Sequence, residues 1–377
     1  MEKQTNTSGK ILMTVDTLGG VWTYAMELIQ ALERYNVHVV LATMGRQLNS
    51  HQKLQLSRLE NVETEESCFR LEWMRDPWED VDRAGNWLME LEKKHSPDLI
   101  HLNNYVHAGL PFIAPKIVIA HSDIYSWWNQ VKGGLPPAKF KKYHRKVQQG
   151  LQKADLVIAP TQAMLNCVNT FYRASNNQKV ISNARSDDKF GAASKKPFIF
   201  SIGRIWDEAK NIKLLEKVAA KCKWPVFIAG EDQHPEERSS CQFEHLHFLG
   251  RLSEEETAKW LAQASVYVMP AKYEPFGLSV LEAGLSSCAL VLGDIDSLRE
   301  NWDGAAFFID PEKPESLEKI LYLLQQDSSL RTAIAGAANQ RAKTFTPEKM
   351  ASEYMGVYQK LLEETGRNFQ PLHHLQL

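Results

Sequence analysis

Short apolar runs alternate along this chain with stretches of helical periodicity. That alternation points to wound α/β sheets, because successive parallel strands must be joined by a crossover, usually a helix. Runs near 11–15, 37–42, 99–102, 117–120 and 156–159 mark the strands of a first sheet. A second set recurs near 198–202, 226–229, 246–249, 266–269, 289–292 and 306–309. The polar stretch 183–196, NARSDDKFGAASKK, lies between them and is the best linker candidate. The sequence therefore predicts two Rossmann-like domains, which suits a length of 377 residues. In such folds ligands bind at the carboxyl ends of strands, and with two wound sheets the expected place is a cleft between the domains.

Charge and cysteine usage narrow the function classes. A net charge of -2 and a pI near 6.6 argue against a general nucleic-acid binder, which would carry a strongly basic domain. Cys68, Cys167, Cys222, Cys241 and Cys288 are scattered and contain no C-x-x-C pair, so neither a disulfide framework nor a zinc site is indicated and a reducing compartment fits best. The opening MEKQTNTSGK has no apolar core of a signal peptide, and no apolar run approaches the roughly 20 residues that span a bilayer. The expectation is a cytoplasmic protein.

The most informative segment is 273–283, YEPFGLSVLEA, directly after the apolar run 266–270. Pro275 and Gly277 break regular structure, and Leu278, Leu281 and Leu285 then recur at helical spacing. Glu274 thus falls on a loop and Glu282 on the helix after it. The backbone N–H groups of Phe276, Gly277, Leu278 and Ser279 should lie at that helix's N-terminus, where unpaired donors favour a phosphate. A carboxylate on either side suits a ligand whose phosphate is flanked by hydroxyl-bearing rings, as in a nucleotide sugar. The plain alternative is a strand-turn-helix with two solvated glutamates. In context the segment resembles the E-P-F-G-x-x-x-x-E signature of the family-4 retaining glycosyltransferases of GT-B fold.

Other strand ends extend the resemblance over nearly the whole chain. Gly19 and Gly20 open a helix after the first strand. A nicotinamide site would want G-x-G-x-x-G there and an acidic residue ending the second strand, which instead ends Leu41-Ala42-Thr43-Met44. The glycines fit the N-terminal loop of the resembled family, which faces the donor phosphates. His121 ends an apolar strand; a lone His is more often structural, but the resemblance implies that it points at the donor sugar. Relatives often carry an acidic residue directly after this His, whereas here Ser122 precedes Asp123.

The run Gly203-Arg204-Ile205-Trp206-Asp207-Glu208-Ala209-Lys210-Asn211 resembles the loop whose Arg and Lys clamp the donor diphosphate. Cleaving a sugar–phosphate bond leaves negative charge that some cation must receive. Residues 246–252, LHFLGRL with Arg251, look like the strand and loop set against the nucleobase, and Ile181-Ser182-Asn183-Ala184 stands in place of the usual I-P-N-G. The D-x-D triplets at Asp80 and Asp294 lie in a charged surface-like stretch and in a segment matching a structural loop, so no metal and no cofactor is assigned.

The resemblance gives domains 1–184 and 185–355, with 356–377 a helix and tail returning to the first. It implies that Arg204 and Lys210 stabilise the departing diphosphate, that Glu282 binds ribose hydroxyls, and that Glu274 and His121 orient the sugar. Acceptor recognition is expected at Tyr125, Trp127 and Trp128, whose rings could stack on sugars, with a core role the even alternative. Lys139, Lys141, Lys142, Arg145 and Lys146 form a basic face able to meet anionic lipid at the inner face of the membrane or an anionic glycan; a solvated face is the plainer reading. The reading is a retaining hexosyltransferase using a nucleoside-diphosphate sugar, with UDP the favoured carrier, and a hydroxyl acceptor such as a glycan, a lipid-linked glycan or a small molecule. The alternatives are a nucleotide-sugar epimerase of the same fold and a non-catalytic nucleotide-sugar binder.

Overall fold

A computed structural model describes residues 9–233 and 243–366. They form two compact units, each built on one parallel sheet. The first contains Met1–Ser126, Leu135–Asn183 and Pro347–Leu377; the second contains Trp127–Gly134 and Ala184–Thr346.

The first sheet runs through β1 (Lys10–Asp16), β2 (His38–Met44), β3 (Val62–Glu66), β4 (Leu99–Leu102), β5 (Lys116–Ile119), β6 (Leu156–Ala159) and β7 (Gln178–Val180). Their spatial order is β3-β2-β1-β4-β5-β6-β7, with β1 bonded in parallel to both β2 and β4. Connections use α1 (Gly20–Leu32), α2 (Ser50–Leu56), α3 (Trp78–His95), α4 (Ile124–Lys132), α5 (Lys141–Lys153) and α6 (Gln162–Tyr172). In the second unit β8 (Lys196–Ile202), β9 (Val226–Ala229), β10 (His247–Phe248), β11 (Ala264–Met269), β12 (Ala289–Gly293) and β13 (Phe307–Ile309) take the order β10-β9-β8-β11-β12-β13. Their helices are α7 (Ile212–Ala219), α8 (Glu254–Gln263), α9 (Leu278–Leu285), α10 (Asp296–Trp302), α11 (Pro314–Gln326) and α12 (Ser328–Ala342); α13 (Pro347–Glu364) closes the chain in the first unit.

All eleven apolar runs hold strands; the central ones are apolar because both faces are covered, whereas β10 and β13 are edge strands of the second sheet and β10 is exposed. Two strands carry no such signal. β3 (VETEE) and β7 (QKV) sit at the two edges of the first sheet, where pairing needs only the backbone and side chains meet water. In each sheet the strand order reverses once, between β1 and β4 and between β8 and β11. Loops leaving those neighbouring strand ends diverge and leave a crevice. The loops after β1, β8 and β11 are the ones that carry Gly19, Arg204 and Glu274.

The division differs from the sequence boundaries in two places. Residues 127–134 group with the second unit, and the whole of α13 from Pro347 groups with the first. The reason for the second is burial. Met350, Tyr354, Tyr358 and Leu361 recur at helical spacing and are almost fully buried, with α1 the element against which α13 packs.

A polar chain runs through that contact. The Tyr24 hydroxyl donates to the Tyr354 hydroxyl at 2.7 Å, and its oxygen lies 3.2 Å from His101 Nε2; His101 Nδ1 is 2.8 Å from the Tyr358 hydroxyl. Because Tyr24 spends its proton on Tyr354, it accepts from Nε2–H, and Nδ1 accepts from Tyr358. A neutral imidazole protonated on Nε2 satisfies both contacts. Burial foremost, with the neighbouring His121, pushes His101 down to about 3.

A folded pKa below the unfolded 6.5 means that the unfolded chain binds the extra proton, so stability is present above pH 6.5 and is lost as pH falls. Urea titrations should therefore show His101→Gln less sensitive to acid than the parent by about 1.4 kcal/mol per pH unit below about pH 6. Parallel acid profiles would show that His101 is not held neutral. Tyr354→Phe, which strands the Tyr24 hydroxyl, should cost about 1–3 kcal/mol at neutral pH.

Candidate functional site

The turn from β11 into α9 is set by Gly277, whose φ of 89° lies in the left-handed region; a Cβ there would also press on Val280 Cγ2 at 3.0 Å. This bend folds the Glu274 side chain back onto its own helix. Its Oε1 accepts from Gly277 N at 3.0 Å and from Phe276 N at 3.5 Å, and its Oε2 meets the Lys210 ammonium. The backbone carbonyl of Glu274 accepts from the Ser297 hydroxyl. Two of the four amides expected to face a phosphate, those of Phe276 and Gly277, are thus engaged by the Glu274 carboxylate. Leu278 and Ser279 open α9, where amides have no acceptor further back in the helix. The Phe276 ring is buried against Phe345, and only its backbone belongs to the turn.

Lys210 arrives on the loop after β8. Gly203 ends that strand so close to β9 that a Cβ on Gly230 would stand 1.7 Å from the Gly203 carbonyl oxygen, so Gly230 can be nothing larger. Asp207, buried, accepts from Ala209 N at 3.0 Å and caps the turn Glu208–Lys210; it also pairs with Arg204 at 3.1 Å. Arg204 lies over the Trp206 ring, and its side chain is 46% exposed, the more open of the two clamp cations. Asn211 donates to the Pro270 carbonyl at 3.0 Å, and Lys272 N donates to the Ala209 carbonyl at 2.8 Å. These bonds fasten the Arg204 loop to the Glu274 loop. Arg251 is exposed one residue beyond Gly250, whose carbonyl accepts from Gly230 N at 2.9 Å.

Glu282 projects from the second turn of α9, and its carboxylate is 2.9 Å from Nε of Arg185. The sequence reading missed Arg185. Its place in a polar linker suggests a solvated side chain, yet it is 4% exposed and also meets Glu254. No spacing rule connects a linker residue to a helix almost a hundred positions on.

In the first unit, Gly19 takes a φ of 81° at the N-cap of α1, and Gly19 and Gly20 are exposed. His121 Nε2 lies 2.7 Å from Asn103 Oδ1, while Asn103 Nδ2 donates to the Thr14 carbonyl at 2.7 Å. The second bond fixes the amide's orientation, so Oδ1 accepts and His121 carries its proton on Nε2. Burial pushes His121 down to about 3, so its Nδ1 is an acceptor at any ordinary pH. Asn103 was not foreseen.

Asp123 is buried and structural. It takes hydrogen bonds from the Ser126 amide and hydroxyl and from the Tyr172 hydroxyl, capping the start of α4. Tyr125 is a correction: it is 8% exposed and packs on His144, Phe171 and Tyr172, so its ring is core and cannot stack on a sugar. Trp127 and Trp128 are half-buried, and the Trp127 indole N–H is spent on Asp207 at 2.9 Å. Glu72, also unforeseen, is buried and accepts from Tyr105 N and Val106 N; burial raises it to about 7.

Asp294 is held by Arg299, Asp80 by Arg83 and Asp82 by Lys146. Among the described residues one cluster has ligand atoms close enough for a cation, Glu63, Glu65 and His95, and there Lys94 already pairs with Glu65. Among the described residues Cys68, Cys167, Cys222 and Cys288 form no disulfide, and Cys241 lies outside those residues. Lys139, Lys141, Lys142 and Arg145 are exposed, while Lys146 is half-buried beside Asp82. No described helix is long and apolar enough to cross a membrane.

The chain is similar to N,N'-diacetylbacillosaminyl-diphospho-undecaprenol alpha-1,3-N-acetylgalactosaminyltransferase of Campylobacter jejuni subsp. jejuni serotype O:2, at 27% identity over 45% of this chain and 46% of that one. The Arabidopsis thaliana sulfoquinovosyl transferase SQD2 is 30% identical over 40% of this chain and 31% of its own length. The chain thus spans less than half the length of these curated relatives. Among solved structures, sucrose-phosphate synthase from Thermosynechococcus elongatus superposes with a TM-score of 0.78 at 16% identity, covering 94% of this chain and 100% of that one. HepE from Anabaena in complex with UDP-glucose gives 0.72 at 18%, covering 92% and 98%. Residues 18–189 match the model of glycosyltransferase family 4 and residues 182–341 that of glycosyl transferases group 1. The two matches run end to end across both parallel-sheet units, and the chain belongs to the family-4 glycosyltransferases of GT-B fold.

Proposed function

We propose that this protein is a retaining, metal-independent glycosyltransferase that moves a hexose from a UDP-sugar to a hydroxyl acceptor. The observation that carries the reading is the convergence, in the second unit, of Lys210 and the Phe276 and Gly277 amides on the Glu274 carboxylate, with Arg204 on the same loop as Lys210. Residues 64 positions apart are held together by a charge pair in a place that suits a diphosphate. A solved structure of the same fold with UDP-glucose supports the choice of carrier, and the match to a transferase acting on a lipid-linked sugar supports a glycan or lipid-linked acceptor.

In this reading the incoming diphosphate displaces the Glu274 carboxylate from Gly277 N and Lys210. The freed carboxylate turns to the sugar hydroxyls, while Lys210 and Arg204 take the diphosphate. As the sugar–phosphate bond breaks, charge grows on the leaving oxygen and two fixed cations with helix amides stabilise it. Glu282 accepts from the ribose hydroxyls. His121, neutral and protonated on Nε2, offers Nδ1 as an acceptor to a sugar hydroxyl. The acceptor side is assigned to Trp127 and Trp128, and the exposed lysines of α5 to an anionic surface.

Arg204→Ala should lower turnover by roughly two orders of magnitude, because the cation acts mainly on charge that develops in the transition state. Activity should survive EDTA. Loss on chelation with recovery on adding Mg or Mn would overturn the metal-free assignment.

The two glutamates should separate by calorimetry with UDP. Glu282→Ala is expected to weaken nucleotide binding. Glu274→Ala should bind UDP at least as tightly as the parent, since it removes the carboxylate that competes for Lys210, and should cripple transfer. Weaker UDP binding in Glu274→Ala would show that the carboxylate is no stand-in for the phosphate.

A further inference from the structure

We infer that Arg185 is a positioning residue for nucleotide recognition: it anchors the Glu282 carboxylate in the place where it can take the two ribose hydroxyls. The inference rests on the assignment of Glu282 to the ribose and deepens it.

Arg185 follows the linker turn after β7, with its backbone N–H on the Phe345 carbonyl at 3.4 Å. Its guanidinium lies over the Phe190 ring, 5.0 Å from the centroid, which closes one face to water. Two carboxylates reach it: Glu254, from the first turn of α8, at NH2, and Glu282 at Nε. Lys189 adds a second cation at Glu254, 3.2 Å away. Burial works against an ionised Glu254, and Arg185 and Lys189 overcome it, so that its carboxyl sits below the ordinary range. The group is two cations and two carboxylates, balanced in charge.

That balance bears on Glu282. A buried guanidinium stays charged and is tolerated only where carboxylates meet it. In return it holds two like charges on one small group. Glu282 meets it at Nε, 2.9 Å from the carboxylate. A cation held this close fixes where the carboxylate sits. With the cation removed, Glu254 and Glu282 lose the positive charge they share, and Glu282, 12% exposed, loses that hold on its carboxylate. A vicinal diol is recognised by a carboxylate only when both partners are fixed, so the loss should appear in discrimination for the ribose rather than in affinity for the diphosphate, which Arg204 and Lys210 carry.

The test measures dissociation constants by calorimetry for whichever of UDP, GDP or ADP binds the unmodified chain, and for its 2′,3′-dideoxy counterpart. The unmodified chain should favour the ribose form by about 10- to 100-fold, the range for hydrogen bonds to a charged group. Arg185→Met should bring that ratio to within about threefold of one while the dideoxy form binds as before. Arg185→Lys keeps the charge but loses the fork, and it serves if the Met variant does not fold; it should show a clearly reduced ratio. Glu282→Ala run in parallel separates the two readings. If Glu282→Ala abolishes discrimination and both Arg185 variants keep it, the inference falls and the ribose assignment stands. If Glu282→Ala keeps discrimination, or no nucleoside diphosphate binds the parent, the ribose assignment falls and the inference with it.

Discussion

Lys210 and Glu274 meet because β8 and β11 are neighbours at the point where the strand order of the second sheet reverses. Chain geometry brings the two loops together, and the charge pair, with the Asn211 and Lys272 bonds beside it, keeps them there. A half-buried ammonium and carboxylate, each about 15% exposed, are stable only as partners. The protein holds its own carboxylate at the helix N-terminus, and Gly277, Ser297 and Asn211 all serve to keep it there.

The first unit solves a different problem. His101 and His121 are kept neutral by burial and by neighbours that each have one correct proton arrangement. For His101 the arrangement secures α13, the last described helix, onto α1. For His121 the Thr14–Asn103 chain chooses the tautomer, so a group often read as a pH switch becomes a fixed acceptor. The same residue type secures a helix in one case and is held as a fixed acceptor in the other.

The apolar runs made the buried strands legible, since a central parallel strand has no freedom to be polar. β3 and β7 were not legible because these two edge strands are polar and pair through the backbone alone, whereas the edge strands β10 and β13 still carry apolar residues. At the site, the E-P-F-G turn and the Arg204 loop could be read locally, each being a strand end with a short motif. Arg185 and Asn103 could not, because their meaning lies in a contact that only the folded chain creates. Tyr125 was misplaced for a related reason: an aromatic residue beside two half-exposed tryptophans looks like them in sequence, but helical geometry turns it inward to Tyr172. The self-capping of Glu274 was hidden because a motif shows which groups are near and not which of them bond at rest.

The central claim is that these residues transfer a sugar with retention at its anomeric carbon. The direct measurement is proton NMR of the chain incubated with UDP-α-linked hexoses, following the anomeric signal of the sugar released to water or to acceptor before mutarotation. The account predicts that the first product is the α anomer, with UDP released alongside it. A first product of β configuration, or no sugar transfer or hydrolysis from any nucleoside-diphosphate hexose, would contradict it.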